Sequence, residues 1–155
     1  MEKKPKYTII LPVFNGKRFI NSCIGSIISQ NYPNYELLIS DGNSTDGSCE
    51  YLQALMHPNV RVIHPETEMS MAEHWEWALS FARGEWQIFV GQDDGLQKYF
   101  FELADRLTSV AKERGLRAIV SKRAYYFWPG CEATYPCRVN YSATNIMRVK
   151  SMRKA

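Results

Sequence analysis

The sequence predicts one α/β domain, a mostly parallel sheet with helices on both faces. Three observations carry that expectation. Short apolar, β-branched runs alternate with longer segments of helical spacing, the order that β-α-β units require. The best of these runs are apolar almost throughout, as strands covered on both faces are. Two short acidic segments each follow such a run: Ser40-Asp41-Gly42-Asn43-Ser44-Thr45-Asp46, and Gln92-Asp93-Asp94-Gly95.

Tyr7 to Val13 reads as the first strand, with Pro12 placed at its end because proline cannot donate to a ladder. Asn15-Gly16 makes a turn. Phe19 to Gln30 has helical spacing, with Ile20, Cys23, Ile24, Ile27 and Ile28 on one stripe. Asn31, Pro33 and Asn34 stop it. Tyr35 to Ser40 is the second strand, and Ser44 or Thr45 caps a helix running to about Met56. Asp46 favours the first turn of that helix. Val60 to Ile63 is a short third strand. Ser70 to Arg83 is helical, with Met71, Trp75, Ala78, Leu79 and Ala82 as the apolar stripe and Gly84 as a C-cap. Trp86 to Val90 is the fourth strand. Tyr99 to Arg114 forms a helix on Phe100, Leu103, Leu107, Val110 and Ala111, ended by Gly115, and Leu116 to Val120 is a fifth strand. The expected division is an α/β core over residues 1–122 and an aromatic-rich segment with a partial basic helix over 123–155.

A chain of 155 residues supports one domain with a real core, and 45% apolar with 23% charged residues is ordinary for a soluble protein. No apolar stretch approaches the roughly 20 residues that span a bilayer. No signal-peptide core follows the basic start, so the reading is cytoplasmic. The net charge of +3 gathers at the ends: Lys3, Lys4 and Lys6, then Arg148, Lys150, Arg153 and Lys154. Two solvated termini are the simple reading; attraction to anionic lipid at a membrane surface, or to a phosphorylated acceptor, is the functional one. Nucleic acid is disfavoured, because the basic residues are not interleaved with aromatics along one face.

The four cysteines (Cys23, Cys49, Cys131, Cys137) form no C-x-x-C pair, and the first two fall in helices as small thiols. His57, His64 and His74 share no metal-ligand spacing. Met56, Met69 and Met71 read as core filler. Tyr125, Tyr126, Phe127, Trp128, Tyr135 and Tyr141 suit either a sugar-binding surface or a cover over the sheet.

Ligands of open α/β sheets bind outside the carboxyl ends of the strands. Carboxylates at two such ends, one beside a glycine turn, suit a hard divalent cation that also holds phosphate oxygens, and so a nucleotide diphosphate. A dehydrogenase or methyltransferase of Rossmann type is disfavoured, because its first turn is glycine-rich. Here that turn is Pro12-Val13-Phe14-Asn15-Gly16.

Four segments in order, across about ninety residues, resemble the family 2 inverting glycosyltransferases of GT-A fold. They are Leu11-Pro12-Val13-Phe14-Asn15-Gly16; Ser26 to Glu36, with Gln30 and Tyr35; Ser40-Asp41-Gly42-Asn43-Ser44-Thr45-Asp46-Gly47; and Ala82-Arg83-Gly84-Glu85-Trp86 leading to Gly91-Gln92-Asp93-Asp94-Gly95. The resemblance implies a GT-A-like, Rossmann-like sheet, cut short on its C-terminal side. It implies sugar transfer from a nucleotide-sugar, commonly a UDP-sugar, to a hydroxyl of a glycan or lipid-linked saccharide, with inversion and metal assistance.

It assigns nucleotide binding to Pro12, Phe14, Asn15, Asp41 and Asp93, with Asp41 reading the base or ribose. Asp94 becomes the metal ligand for Mg²⁺ or Mn²⁺, with Asp93 and Gln92 as second contacts. Gln92 departs from the D-x-D pattern, having a carbonyl oxygen without charge. The catalytic base has no assignment; Glu132 is the one carboxylate after the predicted fifth strand. The alternative is a truncated, non-catalytic nucleotide-sugar-binding or assembly domain. The sequence leaves homo-oligomer formation open.

Overall fold

The structure, a computed structural model, describes residues 4–119. The aromatic-rich segment, Cys131, Glu132, Cys137 and the basic C-terminal stretch lie outside the described residues, as does Lys3. The chain divides into two compact units between Lys98 and Tyr99.

The first unit runs β1 (Tyr7–Val13), α1 (Ile20–Ile28), β2 (Tyr35–Asp41), α2 (Ser48–Gln53), β3 (Val60–Ile63), α3 (Met71–Ser80) and β4 (Trp86–Phe89). The sheet order is β3-β2-β1-β4, and all three pairings are parallel. Successive units step outward from β1 to β2 to β3. The chain then crosses back and adds β4 on the other side of β1. Right-handed crossovers place α1 and α2 on one face and α3 on the other. The topological switch point therefore lies between β1 and β4.

Every residue of the two central strands is buried, so the core runs along them: Tyr7, Ile9, Ile10 and Leu11 against Leu37, Leu38 and Ile39, closed by Ile20, Ile24 and Ile27 of α1. The edge strands β3 and β4 are only half-buried. Among the buried residues is a polar knot. The Thr8 hydroxyl donates to Glu36 Oε1 (2.7 Å) and accepts from the Gly84 N–H (2.7 Å), while the Arg83 N–H donates to the same Glu36 oxygen (2.7 Å). Arg61 completes it at 3.3 Å from Glu36 Oε2. This knot satisfies a buried carboxylate and joins β1, β2 and β3 to the start of β4.

Several sequence expectations need correction. Neither Ser44 nor Thr45 caps α2; Gly47 (φ 88°) stands at its start, and Asp46 accepts from the Ser48 N–H at 3.0 Å. Gly84 is not a C-cap, since α3 ends at Ser80 and Phe81 follows as its cap. A Cβ at Gly84 would lie 2.4 Å from Thr8 N, so this glycine lets the chain pass against β1. The buried face of α3 is His74 and Ala78: Ala78 of the predicted stripe is buried, but Met71, Trp75 and Leu79 are exposed. Met56 is exposed as well, so these methionines do not fill the core. The Ser70 side of α3 carries a full capping box with Glu73.

In the second unit, α4 (Phe100–Glu113) buries Phe101, Ala104, Thr108 and Ala111, a face turned by about one residue from the predicted stripe. Residues 116–119 form no strand. Gly115 turns left-handed (φ 63°) and Leu116 N–H bonds back to Ala111 O (2.7 Å), which spends that segment on the helix end. No described helix is long and apolar enough to cross a membrane.

Candidate nucleotide site at the switch point

Pro12 opens the site. Backbone groups along a strand alternate between its two neighbours. Ile10 O accepts from Val90 N–H at 3.0 Å, so Ile10, and with it Pro12, faces the β4 side. Proline has no N–H to donate, and the β1–β4 register ends at Ile10 and Phe89. On the β2 side the ladder continues through Pro12–Ser40 to Val13–Asp41. The strands therefore part at the switch point. The expectation that Pro12 ends the strand holds for β4 alone; toward β2 it lies within the strand.

Two positions beyond Pro12, the ladder is rebuilt by a side chain. Gln92 Oε1 accepts from Phe14 N–H (2.9 Å), and Gln92 Nε2 donates to Phe14 O (3.1 Å). The amide copies what a strand residue would offer. This gives Gln92 a clasping role that the expectation of a metal contact did not contain. Across β1 the odd-numbered residues bind the β2 loop in the same alternation. Gly42 N–H donates to Val13 O (2.8 Å), and Asn15 N–H donates to Ser44 Oγ (2.9 Å). Asn15 sits in the left-handed region (φ 49°), which asparagine tolerates, and its Oδ1 accepts from Thr45 N–H at 2.8 Å. Gly16 N–H donates to Ser48 Oγ and Lys17 N–H to Asp46 Oδ2.

The turn Phe14-Asn15-Gly16 is thus tied to the Asp41–Ser48 loop on one side and to the Gln92 loop on the other. Asp41 is fully buried, and its Oδ1 accepts from Ser44 Oγ at 2.5 Å. Its Oδ2 is buried without a hydrogen-bond partner. Phe14 is exposed over the turn.

Asp93 and Asp94 are exposed, on a turn closed by Asp94 N–H to Gly91 O at 3.0 Å. Both carboxylates fold over Gly91. A Cβ there would meet Asp94 Oδ2 at 2.9 Å and Asp93 Oδ1 at 3.1 Å. Two carboxylate oxygens over a bare backbone, open to solvent, fit a hydrated hard cation. Beneath the turn, Cys23 Sγ donates to Gly91 O at 3.5 Å. Burial, with Asp94 and Asp93 adding to it, pushes that thiol up to about 12, so it stays neutral.

The structure also brings together groups that sequence spacing kept apart. His64 Nδ1 lies 3.4 Å from Asp41 Oδ2, and Cys49 joins them. Burial, then Asp41 and Glu50, push the Cys49 thiol up. His74 Nε2 bonds Ser40 Oγ at 2.5 Å; burial lowers its pKa and Asp41 partly restores it. His64 also lines an open cavity of about 590 Å³ with Ile63, Trp77 and Phe81. No sequence signal reaches this grouping, because the residues meet only when β2, α2, β3 and α3 are stacked in order.

Among curated proteins, glycosyltransferase GlyG of Streptococcus pneumoniae is 31% identical over 97 residues, 61% of this chain and 32% of its own. A PGL/p-HBAD biosynthesis glycosyltransferase of Mycobacterium bovis is 31% identical over 110 residues, 69% of this chain and 41% of its own. Among solved structures, Staphylococcus aureus TarS 1–349 in complex with UDP-GlcNAc superposes with a TM-score of 0.64 at 25% identity, covering 69% of this chain and 32% of TarS 1–349. The mannosyltransferase PcManGT of Pyrobaculum calidifontis, in complex with GDP-Man and Mn²⁺, superposes at 0.59 with 25% identity, over 71% of this chain and 33% of its own. The chain spans about a third of the length of such relatives. The match to the sequence profile of Glycosyl transferase family 2 runs over residues 8–131, through all the elements of the first unit, and the chain belongs to that family.

Proposed function

We propose that this chain is the donor-binding part of a glycosyltransferase that moves a sugar from a nucleotide-sugar, most simply a UDP-sugar, to an acceptor hydroxyl with inversion. One observation carries the reading: the turn after β1 is hydrogen-bonded on one side to the loop of Asp41 and on the other to the loop of Asp94. In this reading both acidic loops border one crevice at the switch point, where ligands of such sheets bind. UDP-GlcNAc in TarS and GDP-Man with Mn²⁺ in PcManGT support the class of donor.

In this reading the buried Asp41 carboxylate accepts from the base or ribose, and its desolvated position makes an unmatched partner costly. Pro12 opens the crevice, and Phe14 and Asn15 line it. Asp94, aided by Asp93, would hold Mg²⁺ or Mn²⁺, which would neutralise the charge of the departing diphosphate. Gln92 holds the turn and is not needed as a ligand. The acceptor would be a glycan or lipid-linked saccharide; the general base has no assignment among the described residues.

Calorimetry with uridine diphosphate tests this. Asp94→Ala should abolish the Mn²⁺-dependent part of binding and leave metal-free uridine binding unchanged. Asp41→Ala should weaken uridine and uridine diphosphate alike, about tenfold to a hundredfold, the ~1–3 kcal/mol of a lost buried hydrogen bond. If neither variant alters affinity, the donor assignment fails.

A further inference from the structure

We propose that the carboxyl end of β2 carries a second cation site, for a soft divalent ion of the zinc type, held by Asp41 Oδ2, Cys49 Sγ and His64 Nδ1. One ligand atom from each residue lies within 4.8 Å of the other two. Asp41 ends β2, Cys49 is the second residue of α2, and His64 is the first residue beyond β3. The parallel order β3-β2 sets these strand ends side by side.

One edge of the group already has the length that zinc needs, and the thiol lies within 4.8 Å of both other ligands. Bonds of about 2.0–2.3 Å in a tetrahedron put ligand atoms roughly 3.3–3.8 Å apart. The Oδ2–Nδ1 separation of 3.4 Å is such an edge, and is longer than a good N–H···O bond. Oδ2 is the independent sign of a ligand: it belongs to a side chain with no exposure and has no hydrogen bond of good geometry, only the long His64 contact and the neighbouring Cys49 thiol, while Oδ1 is occupied by Ser44. Such an orphan in a native fold asks for an ion, a water or a ligand.

Access and chemistry agree. His64 is 35% exposed in its side chain, so an ion enters from solvent on that side. Three protein ligands leave the fourth position to water. Thiol and imidazole favour zinc over Mg²⁺ or Mn²⁺, which distinguishes this site from the hard carboxylate turn at Asp93 and Asp94. On binding, Cys49 releases its proton to solvent and coordinates as thiolate. Asp41 then cannot also accept from a nucleoside, so zinc and uridine exclude each other. That consequence rests on the donor-binding reading; metal binding itself does not.

The full chain, freed of metal, is titrated with Zn²⁺ by calorimetry and with Co²⁺ by absorption spectroscopy. One equivalent of zinc binds, and cobalt shows a thiolate charge-transfer band. C49S removes the band and weakens zinc at least tenfold. H64Q weakens zinc at least tenfold but keeps a thiolate band; circular dichroism checks that both variants are folded. Absence of the band, or an undiminished band and unchanged zinc affinity in C49S, overturns the site. Uridine affinity should fall at least tenfold for the wild type at a zinc concentration that just saturates it, and fall much less in C49S at that same concentration. Uridine binding unaffected by bound zinc overturns the exclusion, whereas no uridine binding in the absence of zinc refutes the donor assignment instead.

Discussion

Glutamine at position 92 occupies the place of a carboxylate in the family's pattern, and its amide explains what the exchange achieves. A carboxylate only accepts, whereas an amide both donates and accepts. Gln92 uses both functions on the backbone of Phe14. Gln92→Ala should lower stability by about 1 kcal/mol, read as the urea midpoint, since each half-exposed hydrogen bond is worth little net. Gln92→Asp would restore a charge but not the clasp, and should be no more stable than the alanine variant. The sequence identified position 92 as a departure. It could not show the clasp, because the partner is a main-chain group 78 residues away.

Elements meet through close backbone approaches as much as through stripes. Gly84→Ala would put a methyl carbon 2.4 Å from the Thr8 nitrogen and 2.6 Å from the Tyr7 carbonyl carbon. Neither is the end of a flexible side chain. The cost should be about 3 kcal/mol, visible as a large drop in thermal midpoint. Thr8→Val should cost about 2 kcal/mol, because it leaves the buried Gly84 N–H without its acceptor and removes a donor from Glu36. The segments around Glu36 and Gly84 carry part of the family resemblance, and the structure gives them a common reason, since both close on the Thr8 hydroxyl. The missed faces of α3 and α4 have a physical origin too. Periodicity marks apolar residues, but His74 and Thr108 are buried polar groups that bond to Ser40 and to Ala104 O. Their hydrogen bonds, invisible to a hydrophobic count, satisfy polar groups on the inward faces: His74 across to β2, and Thr108 within its own helix.

At the scale of the molecule, His74 links folding to pH. Burial is the main cause of its lowered pKa, and the Asp41 charge opposes it. The folded state therefore holds a neutral imidazole that the unfolded chain protonates near its ordinary 6.5. The unfolded state binds more protons below that pH, so stability falls as pH drops through and below about 6.5, and this contribution is flat above it. Urea midpoints measured from pH 8 to 5.5 should show the decline. His74→Gln, which can still bond Ser40, should lessen it; an unchanged pH slope would refute the assignment.

The first four strands, their chain order and the acidic segments after them were legible from composition and spacing alone, because backbone sterics and the burial of apolar runs act locally; the expected fifth strand, over 116–119, does not form. Even the turn chemistry of Asn15-Gly16 follows from what each residue's dihedral space permits. Which strands become neighbours, and so which distant side chains share a crevice, follows from the crossover that places β4 beside β1. That step depends on packing between segments far apart in the chain. It is why Gln92 reaches Phe14, and why Asp41, Cys49 and His64, unremarkable in spacing, stand around one point in space.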